Sequence, residues 1–304
     1  MITIKHLSKR FDTKTVISDL NFKISRGEII GLLGPNGAGK TTTLRMLSGT
    51  LPPSSGSIEI DNRDSSLPCR EVKQRIGFLP EDNPLYEDLT VEEYLDFWAA
   101  VKGLDKSNKK DAVDFVVENC GISEVYYRPI NELSKGYRQR VGLSQAIMTR
   151  PEILLLDEPT EGLDPNQRHD IANLITTLGR ERTVVISSHV LPEVSKICTR
   201  LIIIHQGKIV ADESPENLKH LGQTSHRIEA ELLGNNIIPV LEKLPEVARV
   251  VEEPRNHFII EIKGQRDIRR EVFEAAVANH WTLLTLNQKE RAIEEVFSQL
   301  TTNQ

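Results

Sequence analysis

Short apolar runs, each long enough for one strand, recur along the first two thirds of the chain. Residues 29–33, 152–157 and 183–188 are such runs, with polar residues mainly at their ends. Continuous apolar runs of this length are typical of strands buried on both faces of a parallel sheet. Segments of helical composition follow at 41–48 and 166–178. The alternation of strand and helix predicts an α/β fold.

The chain before the first buried run has a different pattern, with short strand-like segments and turn residues between them. These segments are 2–4, 15–17 and 20–24. They predict an antiparallel β-edge ahead of the first buried strand. A further alternating strand is predicted at 57–61, followed by a polar and irregular segment at 62–74.

A mainly helical stretch covers about residues 90–150. Thr90 is an N-cap candidate with Glu93 three residues later, which is the pattern of a capping box. A second helix is predicted at 109–119, and Ser134 is placed to cap a third. We therefore expect a helical subdomain inserted into the α/β unit.

The pattern changes near residue 214. Over 227–286 the order is strand, helix, strand, strand, helix, strand, which is the order of a βαββαβ ferredoxin-like unit, and a helix is predicted at 292–300. No group of chemically active residues stands out in this region. We predict one domain at 1–220 and a small α+β domain at 221–304, with a regulatory or dimer-contacting role for the second.

Composition and charge limit the classes to which this protein can belong. The 304 residues allow two domains, and a net charge of −6 with a pI near 5.8 argues against a protein held to nucleic acid by phosphate contacts. No run of 18 apolar residues is present, and the N-terminus shows no signal-peptide pattern. Cys69, Cys120 and Cys198 are scattered and lack metal-ligand spacing, which predicts reduced thiols of a cytosolic protein.

A glycine-rich loop lies between the first buried strand and the following helix. Its glycines allow backbone N–H groups to approach phosphate oxygens, and the start of the helix adds unpaired donors. Lys40 is expected to reach the β- and γ-phosphates, and the Thr41 hydroxyl is expected to bind Mg²⁺. An ordinary glycine-rich turn is the alternative. The loop consists of Gly34, Pro35, Asn36, Gly37, Ala38, Gly39, Lys40, Thr41 and Thr42.

Three further positions carry candidate chemistry at strand ends. Asp157 and Glu158 end a buried strand at the edge where α/β sheets bind ligands, so one can face a metal and the other a water molecule. An exposed acidic pair before a proline is the alternative. His189 ends the next buried strand; a hydrogen-bonded loop residue is the alternative, but its position beside the acidic pair favours a functional role.

Two other positions are ambiguous when considered by themselves. Ser134 is consistent with an ordinary serine N-cap. Phe11 is either a core or edge aromatic, or a ring that stacks on adenine.

In order and spacing, these motifs over about residues 1–220 resemble the ATP-binding subunit of ABC transporters, in the branch that serves ABC-2-type exporters. In that family the glycine-rich loop is the Walker A motif, and the strand ending at Asp157 is Walker B, with Glu158 as its catalytic carboxylate. Residues 133–137 match the signature sequence and 162–164 the D-loop. The resemblance implies a P-loop ABC-ATPase fold with an antiparallel β-edge and a helical subdomain.

The resemblance also implies a role for individual residues. His189 is the switch histidine that acts with Lys40 and Glu158 in catalysis. Mg²⁺ is expected to bind Thr41, Glu81 and Asp157. ATP contacts are implied for the Walker A loop and for Phe11, Ser134, Gly136 and Asp164.

Two departures from the family pattern concern these residues. Glu81 stands where glutamine is common; a carboxylate can still bind Mg²⁺ but adds negative charge near the γ-phosphate. Lys135 and Tyr137 replace the commonest signature residues, whereas Ser134 and Gly136 are retained.

The resemblance implies a Mg²⁺-dependent ATPase that drives a separately encoded integral membrane permease from the cytoplasmic face of the membrane. One set of motifs implies pairing with a second copy or a similar ATPase subunit, and no nucleic-acid partner is expected. Two alternatives remain: a soluble ABC-type ATPase acting on DNA or the ribosome, and a switch that binds ATP but barely hydrolyses it. A single cassette with a short insert argues against the first, and the presence of Glu158 and His189 argues against the second.

Overall fold

The computed structural model describes residues 2–61, 63–64, 70–221, 227–263 and 266–289, together with 297 and 301. The chain divides into two compact units, with the division between Pro215 and Glu216.

The first unit contains two sheets and the helices around them. Its strands are β1 (Ile2–Phe11), β2 (Lys14–Ile24), β3 (Ile29–Leu33), β4 (Ser55–Ile60), β5 (Arg63–Asp64), β6 (Ile76–Leu79), β7 (Ile153–Asp157), β8 (Thr183–Ser188), β9 (Arg200–His205) and β10 (Lys208–Glu213). Its helices are α1 (Lys40–Leu47), α2 (Arg70–Gln74), α3 (Val91–Val101), α4 (Lys106–Cys120), α5 (Lys135–Ile147), α6 (Pro165–Gly179) and α7 (Leu191–Val194). A further helix, α8 (Pro215–Leu221), begins at its last residue.

The larger sheet has the strand order β10-β9-β3-β8-β7-β6 and is parallel except for the pairing of β10 with β9. Strands β3, β7 and β8 are buried along their whole length, which explains their continuous apolar sequences. In the register of the sheet, Leu33 lies beside Ser188, and Asp157 beside Ser187. The carboxyl ends of the three strands therefore meet at one edge, and this α/β arrangement confirms the predicted fold class.

The smaller sheet is antiparallel, with the order β2-β1-β4-β5. It confirms the β-edge, but β1 and β2 are longer than the short segments predicted at 2–24. Register shifts along β1 interrupt the alternation of its sequence, so periodicity alone divided a continuous strand pair. The prediction of irregular structure at 62–74 was wrong at 63–64, where β5 pairs with β4, and at 70–74, where α2 forms.

Capping residues determine where the helices of the 90–150 segment begin and where α4 ends. The side chain of Thr90 accepts a hydrogen bond from the Glu93 N–H, and the Glu93 carboxylate accepts one from the Thr90 N–H, which completes the capping box. Helix α4 begins three residues earlier than predicted because Asp105 caps it, and it ends at Gly121 in the left-handed conformation. The Ser134 side chain caps α5 as expected.

The loop after β6 is fixed against helix α5. The Asn83 side chain donates to the Arg138 carbonyl oxygen at 2.9 Å. Its amide occupies the space beside Gly142, where any Cβ atom would overlap it. Because Glu81 lies two residues before Asn83, this contact joins the loop that carries Glu81 to the helix that Ser134 begins.

We expect Gly142→Ala to lower the free energy of unfolding by about 1–3 kcal/mol, since overpacking against Asn83 outweighs the gain in helix propensity. In an Asn83→Ala background the same substitution should be neutral or stabilising by up to about 1 kcal/mol. Urea unfolding of the four proteins measures this difference. An equal loss of stability in both backgrounds would contradict the assigned contact.

The second unit is a small α+β domain. Its elements are β11 (Arg227–Leu233), α9 (Ile237–Leu241), β12 (Val247–Glu253), β13 (His257–Ile262), α10 (Arg269–Ala278) and β14 (Thr282–Lys289). The sheet is antiparallel with the order β12-β13-β11-β14. This is the ferredoxin-like arrangement that the sequence predicts. The helix predicted at 292–300 falls almost entirely outside the described residues.

Two other predictions concern thiols and membrane segments. Cys120 and Cys198 are buried and form no disulfide, whereas Cys69 lies outside the described residues. No helix in the described part of the chain is long and apolar enough to cross a membrane.

Candidate nucleotide and metal site

The glycine-rich loop joins β3 to α1 at the carboxyl edge of the larger sheet. Gly37 and Gly39 have φ angles of 79° and 111°, which residues with a Cβ atom rarely adopt. A Cβ atom at Gly39 would also overlap the Ile17 side chain. These φ angles allow the tight turns through which a glycine-rich loop can present backbone N–H groups to a phosphate.

Lys40 is buried and folds back over this loop. Its ammonium group donates to the carbonyl oxygens of Gly34 at 2.8 Å and Pro35 at 3.4 Å. The same Nζ atom lies 3.4 Å from Oε1 of Glu158, and both side chains are less than 10% exposed. The loop, the lysine and the second strand-end acid therefore belong to one site.

Glu158 lies between two nitrogen groups. Besides the contact with Lys40, its Oε2 atom is 3.0 Å from Nδ1 of His189. The backbone of Glu158 has a φ of 46°, in the left-handed region that is strained for this residue type. Its N–H donates to the Ser187 hydroxyl at 2.9 Å, which helps to hold this turn. Both acids are buried, which excludes the alternative of an exposed acidic pair before a proline.

Asp157 is fully buried and has only one of its oxygens hydrogen-bonded. Oδ1 accepts from the hydroxyls of Ser187 at 2.6 Å and Thr41 at 3.1 Å. Oδ2 is buried with no hydrogen-bond partner. Burial raises the pKa of the Asp157 carboxyl, and the hydrogen bonds from Ser187 and Thr41 oppose this effect. A buried carboxylate oxygen without a donor is suited to a cation.

The neighbouring oxygens fit Mg²⁺. The Thr41 hydroxyl lies 3.3 Å from Oε2 of Glu81 as well as 3.1 Å from Asp157. Carboxylate and hydroxyl oxygens are the donors this ion prefers, and it commonly keeps water and phosphate oxygens as its other ligands. The three residues predicted to bind the metal are thus brought together.

A cavity of about 350 Å³ opens over the loop. Besides loop residues, it is lined by Glu81 and Glu158 and by two residues that the sequence did not suggest, Val16 and Glu161. The loop residues that line it are Asn36, Gly37, Gly39, Lys40, Thr41 and Thr42.

The signature residues line a different cavity. Ser134 and Gly136 border a space of about 230 Å³ together with Tyr137, Arg140 and Asp170, among others. Neither residue lines the cavity over the glycine-rich loop. The hydroxyl of Ser134 accepts from the Tyr137 N–H at 3.4 Å, so it is a helix cap in this chain. The fold of one chain therefore leaves Ser134 and Gly136 away from its own loop, although Lys135 between them borders a cavity together with Glu158 and His189.

The remaining predicted site residues have simpler surroundings. The ring of Phe11 is 45% exposed at the end of β1, which excludes a core position and leaves an edge aromatic or a ring that stacks on adenine. The Lys9 ammonium lies 5.1 Å from the centre of that ring. Asp164 accepts from the N–H groups of Asn166 and Gln167 and caps α6. Pro35 and Ala38 support the loop, with the Ala38 N–H donating to the Pro35 carbonyl at 3.1 Å.

Ser187 is the main site residue that sequence reasoning missed. It contacts the side chain of Asp157 and the backbone of Glu158, so one hydroxyl positions both acids. Its signal was the polar end of an otherwise apolar strand, immediately before the histidine.

A second contact had no sequence signal. The Glu193 carboxylate accepts hydrogen bonds from Arg168 at 2.6 Å and from Thr160 at 3.2 Å. These bonds connect the D-loop segment to the chain that follows the histidine.

The geometry agrees with the comparisons to known proteins. The family model for ABC transporters matches residues 17–161. The linearmycin resistance ATP-binding protein of Bacillus subtilis (strain 168) is 32% identical over 305 residues, covering 99% of this chain and 98% of that protein. The chain therefore belongs to the ABC transporter family, as an ATP-binding and ATP-hydrolysing subunit.

Two further similarities each cover part of the chain. The bacitracin transport ATP-binding protein of Bacillus licheniformis is 38% identical over 221 residues, 72% of this chain and 71% of that protein. A solved structure of an ATP-binding subunit of an ABC transporter matches with a TM-score of 0.65 and 26% identity, covering 73% of this chain and 92% of that one. These comparisons confirm the predicted family and fold.

Proposed function

We propose that this chain is the motor subunit of an exporter, working on a separately encoded membrane permease from the cytoplasmic face of the membrane. The observation that carries the proposal is the cluster at the carboxyl edge of the sheet. There Glu158 lies between Lys40 and His189, beside the unpartnered oxygen of Asp157. The export direction is supported by relatives named for resistance and for bacitracin transport.

In this proposal the residues have separate roles. The loop N–H groups and Lys40 bind the phosphates of ATP, and Phe11 offers an exposed ring to adenine. Thr41, Glu81 and Asp157 hold Mg²⁺, which supplies charge stabilisation on the phosphate oxygens. Glu158 orients or deprotonates the attacking water, and His189 hydrogen-bonds to the γ-phosphate as charge develops.

The proposal includes two copies that share their ATP sites. Ser134 and Gly136 line a cavity away from the loop of their own chain. A second copy, or a similar subunit, can present these residues to that loop, and Asp164 lies on the segment between the two sites. Closure on ATP and reopening after hydrolysis then follow from a higher affinity for ATP in the closed state.

Glu81→Gln tests the metal assignment separately from the chemistry. The amide keeps an oxygen ligand but removes one negative charge beside Thr41 and Asp157. We expect the Mg²⁺ concentration for half-maximal ATPase activity to rise about 3- to 10-fold, which is about 0.7–1.4 kcal/mol, with little change in kcat at saturating Mg²⁺. Titration of activity with Mg²⁺ measures both. An unchanged Mg²⁺ dependence would remove Glu81 from the metal site. Asp82→Asn, at the adjacent exposed acid, is the matched control.

The partner is tested by purification from native membranes. The tagged chain is solubilised in mild detergent, and the co-purifying proteins are identified by mass spectrometry. Recovery of a polytopic permease is the expected result. Recovery only of ribosomal or DNA-repair proteins from a soluble pool would contradict the transport role and leave only the ATPase chemistry.

A further inference from the structure

Two loops leave the carboxyl edge of the larger sheet from the neighbouring strands β7 and β8. The first loop, residues 158–164, begins with Glu158 and leads to α6, and the second loop, residues 189–190, begins with His189 and leads to α7. Nδ1 of His189 is 3.0 Å from Oε2 of Glu158. The position of the histidine relative to the acid therefore depends on how the two loops are held together.

A polar link between α6 and α7 connects these loops. Nε of Arg168 donates to the Leu163 carbonyl oxygen at 2.8 Å, and Nη1 of Arg168 donates to Oε1 of Glu193 at 2.6 Å. The other carboxylate oxygen of Glu193 accepts from the Thr160 hydroxyl at 3.2 Å. Two positions of the first loop are therefore bound to α7 through one arginine–glutamate pair. We call Thr160, Arg168 and Glu193 the clamp.

Apolar packing by itself leaves the distance between α6 and α7 poorly determined. A cavity of about 520 Å³ lies between the two helices, and all three clamp residues line it. Apolar side chains line it from both sides, and they include Ala172, Ile175, Val194 and Ile197. Side chains beside a cavity lack partner atoms on that side, so they oppose a displacement less than close-packed side chains do. The hydrogen bonds of the clamp supply the missing constraint.

The chemistry of the clamp suits a positioning role. An exposed ion pair contributes little to stability, because both side chains lose freedom when they pair. Arg168 and Glu193 are only partly exposed, and the guanidinium binds a carbonyl oxygen and a carboxylate at the same time. A planar fork held at two points has a fixed orientation, and its charge-assisted hydrogen bonds are short and strong.

We propose that Arg168 and Glu193 are positioning residues for ATP hydrolysis, which hold α7 at the distance from the first loop where His189 meets Glu158. Neither residue lines the cavity over the glycine-rich loop. The clamp acts through His189, because α7 begins two residues after the histidine. This inference rests on the proposed roles of Glu158 and His189 in hydrolysis.

The first measurement is steady-state phosphate release by the full-length protein over a range of ATP concentrations. Glu193→Ala removes the clamp. Glu193→Gln is the conservative variant, because its amide oxygen can still accept from Arg168. Arg168→Lys keeps the positive charge but has a single nitrogen in place of the fork. Lys196→Ala, at an exposed lysine just after α7, is the matched control.

We expect Glu193→Ala to lower kcat about 10- to 100-fold, since a misplacement of about 1 Å can cost that much. The KM for ATP should change less than about twofold, because the phosphate-binding residues are untouched. Arg168→Lys should also lower kcat, whereas Glu193→Gln should retain most of it and Lys196→Ala all of it. A melting curve of each variant shows that the fold is kept.

A His189→Ala background separates positioning from a general loss of structure. When one residue acts through another, the two losses do not multiply. Glu193→Ala should therefore lower kcat by less than about twofold in the His189→Ala protein. Losses that multiply would show that Glu193 acts independently of His189.

Hydrogen exchange of the nucleotide-free protein tests the clamp without the ATPase cycle. Glu193→Ala should speed the exchange of backbone N–H groups at 158–164 and 189–197, because both segments lose a shared constraint. Lys196→Ala should leave both segments unchanged.

The proposal is overturned by a kcat of Glu193→Ala equal to that of the control, by a KM that rises as much as kcat falls, or by unchanged exchange in both segments. Faster exchange with an unchanged kcat would contradict the role of the clamp in hydrolysis. Full activity of His189→Ala would contradict the proposed role of that histidine, and the exchange result would still decide whether the clamp holds the two loops together.

Discussion

Glu158→Gln should bind ATP with nearly unchanged affinity, hydrolyse it at least ~100-fold more slowly, which is about 2.7 kcal/mol of barrier, and accumulate as a closed dimer. The amide has nearly the shape of the carboxylate, so the contacts with Lys40 and His189 are altered without a cavity. It cannot accept a proton from water, however, and it orients that water less strongly. ATP binding therefore proceeds while the step that reopens the dimer is blocked.

The measurements are steady-state phosphate release, ATP binding and size-exclusion chromatography with ATP. Glu161→Gln is the matched control, because Glu161 also lines the cavity over the loop but is exposed and makes no contact with Lys40. We expect that control to retain most of its activity. Near-normal turnover of Glu158→Gln, or an equal loss in both variants, would exclude Glu158 as the group that acts on water.

Lys40→Ala should abolish ATP-dependent dimerisation as well as hydrolysis, with a loss of at least ~100-fold in kcat/KM. The substitution removes the buried ammonium that lies over the loop, and charge-assisted hydrogen bonds to phosphate are among the stronger polar contacts. It differs from Glu158→Gln in the step at which it acts, since the closed dimer should never form. Nucleotide-binding assays and chromatography with ATP distinguish the two variants.

Loss of stability must be separated from loss of chemistry in this variant. Removing Lys40 leaves Glu158 buried beside one fewer cation, so the melting temperature of the nucleotide-free protein should fall. The double variant Lys40→Ala/Glu158→Gln removes both charges and should recover most of that melting temperature while staying inactive. Lys23→Ala, at an exposed lysine of β2, is the control and should match the unchanged protein. ATP-dependent dimers of Lys40→Ala would contradict the role of Lys40 in holding phosphate.

The main parts of the fold could be predicted because the signals were local. Continuous apolar runs marked the buried strands β3, β7 and β8, and the capping box at Thr90 fixed the start of α3. The two long strands β1 and β2 were underestimated, since bulges break the alternation that periodicity relies on. Helix α2 was missed because it consists of only 5 residues within a mainly polar segment.

The candidate site likewise contains residues that the sequence could reveal and residues that it could not. Residue types and their positions at strand ends indicated the glycine-rich loop, the acidic strand end and the histidine as candidates, and the family resemblance implied their roles. Ser187 could not be singled out, since its role depends on the neighbour that the parallel register gives it. The same holds for Asn83, whose contact with Gly142 is separated from it by a long stretch of chain.

The sequence by itself determined which residues could bind a phosphate and a cation, and which segments form the buried strands and the capped helices, because those properties depend on groups a few residues apart. The tertiary structure decided which oxygen of Asp157 lacks a partner and that Ser134 lies away from the loop of its own chain. These features depend on register and on contacts between distant segments, and no local pattern of residues encodes them.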